Sequence, residues 1–110
     1  MVWLSAVVLE ELYAGASVKD LDSLEEMGSK FRAADRIVVP ELEDWVLGGR
    51  ILARVEAKYG YEEIGRGRLT NDALIALSAA RQGVTVFTAN RRDFARIAEF
   101  RPFRWEFVVQ

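Results

Sequence analysis

The sequence predicts an α/β domain, three layers of helix, mostly parallel sheet and helix, and three observations carry that expectation. Arg68 to Ile97, RLTNDALIALSAARQGVTVFTANRRDFARI, reads as a helix, a glycine stop, a strand and a second helix in direct succession. Helices and strands that alternate in this way build parallel sheets. Val84 to Thr88 is a β-branched and aromatic run, the composition of a strand buried on both faces. Two more short apolar runs, Val2 to Ser5 and Arg36 to Val39, supply further strands ahead of it.

In chain order, Val2 to Ser5 is the first strand, and Ser5 is placed to cap the helix Ala6 to Gly15. On a helical wheel Val8, Leu12, Gly15 and Ala16 share one face. Glu11 borders that face and Glu10 points away from it, so Glu11 is the glutamate placed at the edge of a core or cleft. Taken alone, either glutamate is equally an ordinary surface charge. Residues 17–35 form a surface helix in which Leu21, Leu24, Met27 and Phe31 recur at three- and four-residue steps. The strand Arg36 to Val39 is stopped by Pro40. Glu41 to Tyr59 is the longest helix, with a row of Leu47, Ile51, Val55 and Tyr59 widened by Leu42, Trp45, Val46 and Leu52. Gly48 and Gly49 inside it cost about 1 kcal/mol each relative to alanine, and the expected compensation is close approach of another backbone. Glu41, Glu43 and Asp44 suit the positive end of the helix dipole.

Tyr61 to Gly67 reads as a loop that carries Arg66. Thr70 or Asn71 then caps the next helix, with Asp72 at its entrance and an almost wholly apolar stretch from Ala73 to Ala80. Gly83 ends it, because a left-handed residue after a helix is least strained as glycine. After the strand, Phe94, Ile97 and Ala98 give a short amphipathic helix, Pro102 breaks the pattern, and Trp105 to Val109 is a closing edge strand.

The 110 residues fit a single domain, and 51% hydrophobic content argues for a folded core. No apolar run approaches the ~18 residues of a membrane span. No basic segment and cleavage site open the chain, so the expectation is a cytoplasmic protein. The sequence has neither cysteine nor histidine. Disulfides, thiolate and imidazole zinc sites, and Ser–His or Cys–His nucleophile pairs are thereby excluded. Acid–base or metal chemistry must rest on carboxylates, which favour hard cations such as magnesium or manganese. Charge is uneven: residues 1–65 hold 7 Lys/Arg and 13 Asp/Glu, and residues 66–110 hold 8 Arg and 4 Asp/Glu. Arginine is the better bidentate partner for phosphate, while a plain solvated surface is the competing reading of that charge.

Ligands of open parallel sheets bind beyond the carboxyl ends of the strands. Asn90 and Asp93 follow the Val84 strand directly, and Asp72 at a helix entrance is expected on the same edge. That juxtaposition is the geometric reason to expect a site there.

Four blocks then carry a resemblance: LSAVVLEELYAGA (Leu4 to Ala16), RIVVP (Arg36 to Pro40), RLTNDALIALSAARQGVTVFTANRRDF (Arg68 to Phe94) and FRWEFVV near the end. Together they resemble a PIN domain, specifically the VapC-type toxins of bacterial and archaeal toxin–antitoxin pairs. The resemblance implies a magnesium- or manganese-dependent endoribonuclease that leaves a 5′-phosphate and a 3′-hydroxyl. It also implies an antitoxin partner and a homodimer. Three acids of the family's four-acid metal cluster fall on Glu11, Asp72 and Asp93, and its supporting polar positions fall on Asn90 and Thr88. Arg66, Arg68, Arg91 and Arg92 are the candidates for holding the RNA backbone. The family's first acid, in an LD-[ST] motif, has no counterpart. The chain thus looks shortened at the front by one strand–helix unit, through a misplaced start codon, a split gene or a decayed copy. The alternative function is a catalytically impaired remnant that binds RNA or an antitoxin without cleaving. A receiver-like module is disfavoured because Lys19, Lys30 and Lys58 all come before the late position where it needs a lysine. Neither common phosphate-loop motif occurs.

Overall fold

Gly83 sits at φ 73°, and the backbone N–H groups of Gly83 and Val84 close back onto Ala80 and Ala79, as the predicted glycine stop requires. The computed structural model describes residues 2–60 and 66–108, with backbone alone for 66 and 67. In order the elements are β1 (Leu4–Ser5), α1 (Ala6–Gly15), a 3-10 turn (Val18–Asp20), α2 (Leu21–Ala33), β2 (Ile37–Val38), α3 (Leu42–Tyr59), α4 (Arg66–Gln82), β3 (Val86–Thr88), α5 (Arg91–Phe100) and β4 (Trp105–Phe107). The α/β class with parallel strands is the predicted one. The strands form two separate parallel pairs, β1 with β2 and β3 with β4. The chain divides into two compact units, Met1–Val39 and Pro40–Gln110.

In the first unit, Ser5 caps α1 by accepting from the Val7 N–H. Leu4 pairs with Ile37 and Ser5 with Val38. The α1 face that meets α2 is not the predicted Val8 and Leu12 face. Leu9 lies against Gly28 of α2, and a Cβ on Gly28 would stand 3.6 Å from the leucine's Cδ1. Ala6, Leu9 and Tyr13, at helical spacing, line a groove of about 600 Å³ with Gly28, Ser29 and Ile37. Leu12 stays exposed. An added Cβ would make only an ordinary contact there, so Gly28 permits this packing without being required by it.

The second unit holds a core of Ile51, Val55, Ala73, Ala76, Leu77, Ala79, Val86, Phe94 and Ile97. Helix α3 turns Asp44, Gly48, Ile51 and Val55 inward. A Cβ on Gly48 would meet Leu77 and Ala73 at 3.6 and 3.8 Å, whereas one on Gly49 meets nothing within 4 Å. The expected close approach of a backbone is therefore found at neither glycine: an added Cβ on Gly48 would make ordinary contact with side chains of α4, and one on Gly49 would meet open space. The predicted flank of Leu42, Trp45 and Val46 is exposed, because α4 and α5 pack on other sides of α3. Asp44 is buried at the start of α3. It accepts from the Glu41 backbone N–H at 2.9 Å and from Arg81 Nε at 3.1 Å, tying α3 to the end of α4.

Helix α4 begins earlier than expected. Thr70 and Asn71 lie inside it, so neither is its cap, and Asp72 stands in its second turn. The predicted loop at Tyr61 to Gly67 lies outside the described residues except for 66 and 67, which are helical. Nothing in Arg68-Leu69-Thr70 breaks a helix, and two early turns are available once the apolar face of α4 is packed. Ser78 is fully buried and satisfied by donating back to the Leu74 carbonyl. Strand β3 is buried on one face, not two: Val86 joins the core but Phe87 is 66% exposed. β4 ends at Phe107, and the predicted Val109 lies outside the described residues.

Candidate active site: two acids joined by an asparagine

Strand β3 ends at Thr88, two residues before α5's cap, and that corner builds the site. Thr88 Oγ1 accepts the Asn90 backbone N–H at 3.0 Å, which fixes the turn. Asn90 caps α5 by accepting the Asp93 N–H on Oδ1. With its carbonyl oxygen so committed, the amide nitrogen faces two carboxylates. It donates to Asp72 Oδ2 and to Asp93 Oδ2, each at 2.9 Å. A neutral amide NH₂ has two hydrogens to give and spends one on each acid. Arg92 Nε adds a contact of 3.3 Å to Asp93 Oδ1.

Both acids are buried, Asp72 at 7% exposure and Asp93 at 6%. Buried carboxylates need partners, and two that converge repel each other unless donors or a cation lie between. Asn90 is a donor shared by both acids. The predicted juxtaposition of Asp72, Asn90 and Asp93 at the carboxyl end of this strand is observed, with Thr88 in support. The geometry also makes Asn90 the link between the acids.

The other predicted residues stand as follows. Glu11 is exposed on α1 in the first unit. Arg68 is exposed on α4, four residues before Asp72 and so on the same helical face. Arg91 is exposed on the first turn of α5, with its guanidinium 5.6 Å from the Phe107 ring centre. Arg92 is exposed and turned partly onto Asp93. The Arg66 side chain lies outside the described residues. Among the described residues no group of three or more acidic side chains stands close enough to hold a metal ion. The gathered set is two carboxylates and an amide. All its ligating atoms are oxygen, which fits a hard divalent cation, and magnesium is commonly held by one or two carboxylates plus water and substrate phosphate.

The family model of the PIN domain matches residues 1–100, and the chain belongs to the PIN domain family. PIN domains are in general nucleases that act on nucleic acid with divalent metal ions. No curated protein and no solved structure matches the chain. No described helix is long and apolar enough to cross a membrane.

Proposed function

We propose that this chain is a VapC-like PIN endoribonuclease that cleaves RNA phosphodiester bonds with Mg2+ or Mn2+. The reading takes the two units as one domain, supported by a family match that runs across both. It is a cytoplasmic toxin, restrained by a VapB-like antitoxin and working as a homodimer. The observation that carries it is the pair of buried acids, Asp72 and Asp93, held on one asparagine amide.

In this reading Asp72 and Asp93 hold the cation and Glu11 completes the acidic set. Asn90 keeps the two carboxylates turned toward one point and offsets their repulsion while no cation is bound. Arg68, Arg91, Arg92 and Arg66 hold the backbone phosphates, so binding weakens with salt. A bound divalent ion would supply charge stabilisation at the phosphate and a water of lowered pKa. The test is cleavage of RNA with magnesium, with chelator, and with Asp72→Asn or Asp93→Asn. Cleavage that persists in chelator or in both variants overturns the reading.

A second reading has a specific observation in its favour. The corner of the second unit gathers two carboxylates on one amide, a set equally open to a catalytically impaired PIN chain that binds RNA or an antitoxin without cleaving. RNA retention without cleavage at any magnesium or manganese concentration decides for it.

A further inference from the structure

Strands β3 and β4 run parallel and in register, so both end at the same edge: Val86 lies opposite Trp105 and Thr88 opposite Phe107. Side chains alternate between the faces of a sheet. Val86, Thr88, Trp105 and Phe107 therefore share one face, and Phe87 and Glu106 share the other. The first face is the packed one, with Val86 in the core and Trp105 resting against it. Phe107 lies on that face but past the end of the core, and it is 44% exposed. The Val108 N–H donates to the Thr88 carbonyl at 2.9 Å, so the ladder still holds where Phe107 sits. Thr88 in turn fixes Asn90, which joins Asp72 to Asp93. An exposed aromatic ring thus stands one strand away from the acid corner.

The ring has a cation beside it. Arg91, on the first turn of α5, brings its guanidinium to 5.6 Å from the ring centre, within the range of a cation–π contact. Arg91 makes no ion pair with another described residue, so its charge is open to a ligand. Phe87, on the same pair of strands, supplies the contrast. It is more exposed than Phe107, yet it lies on the uncovered face directly opposite Glu106. A polyanion is drawn to the ring that has an arginine at its side and repelled from the ring that has a glutamate. Bases stack on aromatic faces, and arginine pairs with phosphate, so Phe107 and Arg91 together offer what one stretch of RNA presents.

We propose that Phe107 is the base-stacking residue of the acid corner: a nucleobase of the bound RNA lies on its ring while Arg91 takes a neighbouring phosphate. This rests on the reading of the corner as an RNA site and adds to it a contact with a base. The acids and arginines named so far meet only a cation and phosphates, and phosphate contacts position a strand without reading it. Stacking on Phe107 fixes which nucleotide stands next to Asp72 and Asp93, and so helps to choose the bond that is cut.

The test compares two single-stranded decamers, one of mixed-sequence RNA and one with the same ribose-phosphate backbone but no bases. Their affinities are measured by fluorescence anisotropy with magnesium, in the full chain carrying Asp72→Asn so that neither is cut. Circular dichroism confirms that each variant folds. The protein is expected to prefer the base-bearing decamer, and Phe107→Leu to reduce that preference about tenfold while leaving affinity for the abasic decamer unchanged. Phe107→Tyr, which keeps the ring, is expected to keep the preference, and Phe87→Leu to leave it as it was. Arg91→Met is expected to weaken both decamers and to lower the salt slope by about one. A preference that Phe107→Leu does not move overturns the proposal. So does an equal loss on both decamers, which is what a merely structural role at the rim of the core would give. Failure to bind either decamer overturns the proposal together with the RNA site. Cleavage is measured separately in the chain with Asp72 intact: a base preference that depends on Phe107 without any cleavage supports the stacking role and refutes the nuclease.

Discussion

Asn90 and Asp72, 18 residues apart in the chain, are joined by a 2.9 Å hydrogen bond from the amide nitrogen to Oδ2. The same nitrogen reaches Asp93, so one neutral side chain keeps two buried carboxylates together. Asn90→Ala removes a helix cap and leaves both acids short of a donor. We expect a loss of about 2–4 kcal/mol, from roughly 1 for the cap and 1–3 for the unsatisfied acids. Urea denaturation measures it, and a change under about 0.5 kcal/mol contradicts the linking role.

Asn90→Asp keeps the cap and sets a third carboxylate against the first two. The metal-free protein is expected to melt several degrees lower than the unmutated chain, and magnesium is expected to raise its Tm by more than it raises that of the unmutated chain. Equal magnesium shifts in the two proteins count against a cation at this corner.

Asp72→Asn leaves size and helix intact but removes one charged oxygen ligand. Outer partners of a metal ligand already cost 10–100-fold when lost, so RNA cleavage should fall by more than about 100-fold. The fold should survive, as judged by an unchanged circular dichroism spectrum.

Arg81 joins Asp44 at 3.1 Å and Glu41 at 3.3 Å. Arg81→Met would strand the buried Asp44 carboxylate with only the Glu41 N–H. Since Arg81 is itself partly exposed, the cost is set below that of a fully buried pair, at about 1–3 kcal/mol. By contrast Gly49→Ala, in open space on the same helix, should stabilise by roughly 0.5–1 kcal/mol. Chemical denaturation of both variants checks the pair of signs.

Glu99 on α5 accepts from Lys58 Nζ at 2.6 Å and from the Tyr59 hydroxyl, linking α5 to the end of α3. The Lys58 hydrogen bond, then the Tyr59 one, holds the Glu99 carboxyl below its ordinary range, and the Glu99 bond holds Lys58 above its own. A lowered carboxyl gives stability that is present above its unfolded pKa and lost as pH falls through the folded one. A raised ammonium gives stability that is present below its unfolded pKa and lost as pH rises through the folded one. The link therefore contributes at neutral pH and fades on acidification below the glutamate value of 4.5 and on the alkaline side above 10.5. The Tm difference between the unmutated chain and Glu99→Gln should vanish at the acid end, and salt should shrink it, because the groups are exposed.

Local chemistry in the sequence was enough for much of the second unit. Gly83 had to end α4, the apolar run from Ala73 to Ala80 had to be buried, and Asn90 and Asp93 had to follow a strand into a helix start. These follow from glycine's freedom at positive φ, from hydrophobic periodicity and from side-chain capping, all of which act within a few residues. The start of α4 was not legible in the same way. Thr70 and Asn71 are good caps in isolation, yet packing of the apolar face keeps two more turns helical, and a long-range gain outweighs a local preference.

What tertiary structure alone decided is which face each element spends. Contact with α2 took up Leu9 rather than Leu12 on α1, and contact with α4 took up the Gly48 side of α3 rather than the Leu42–Val46 side. The face of β3 that carries Phe87 is left uncovered, so Phe87 stays outside. The sequence named Asp72, Asn90 and Asp93 as residues of one edge, but the asparagine that joins the acids is visible only in space. Hydrogen bonds between side chains 18 residues apart leave no periodicity behind them.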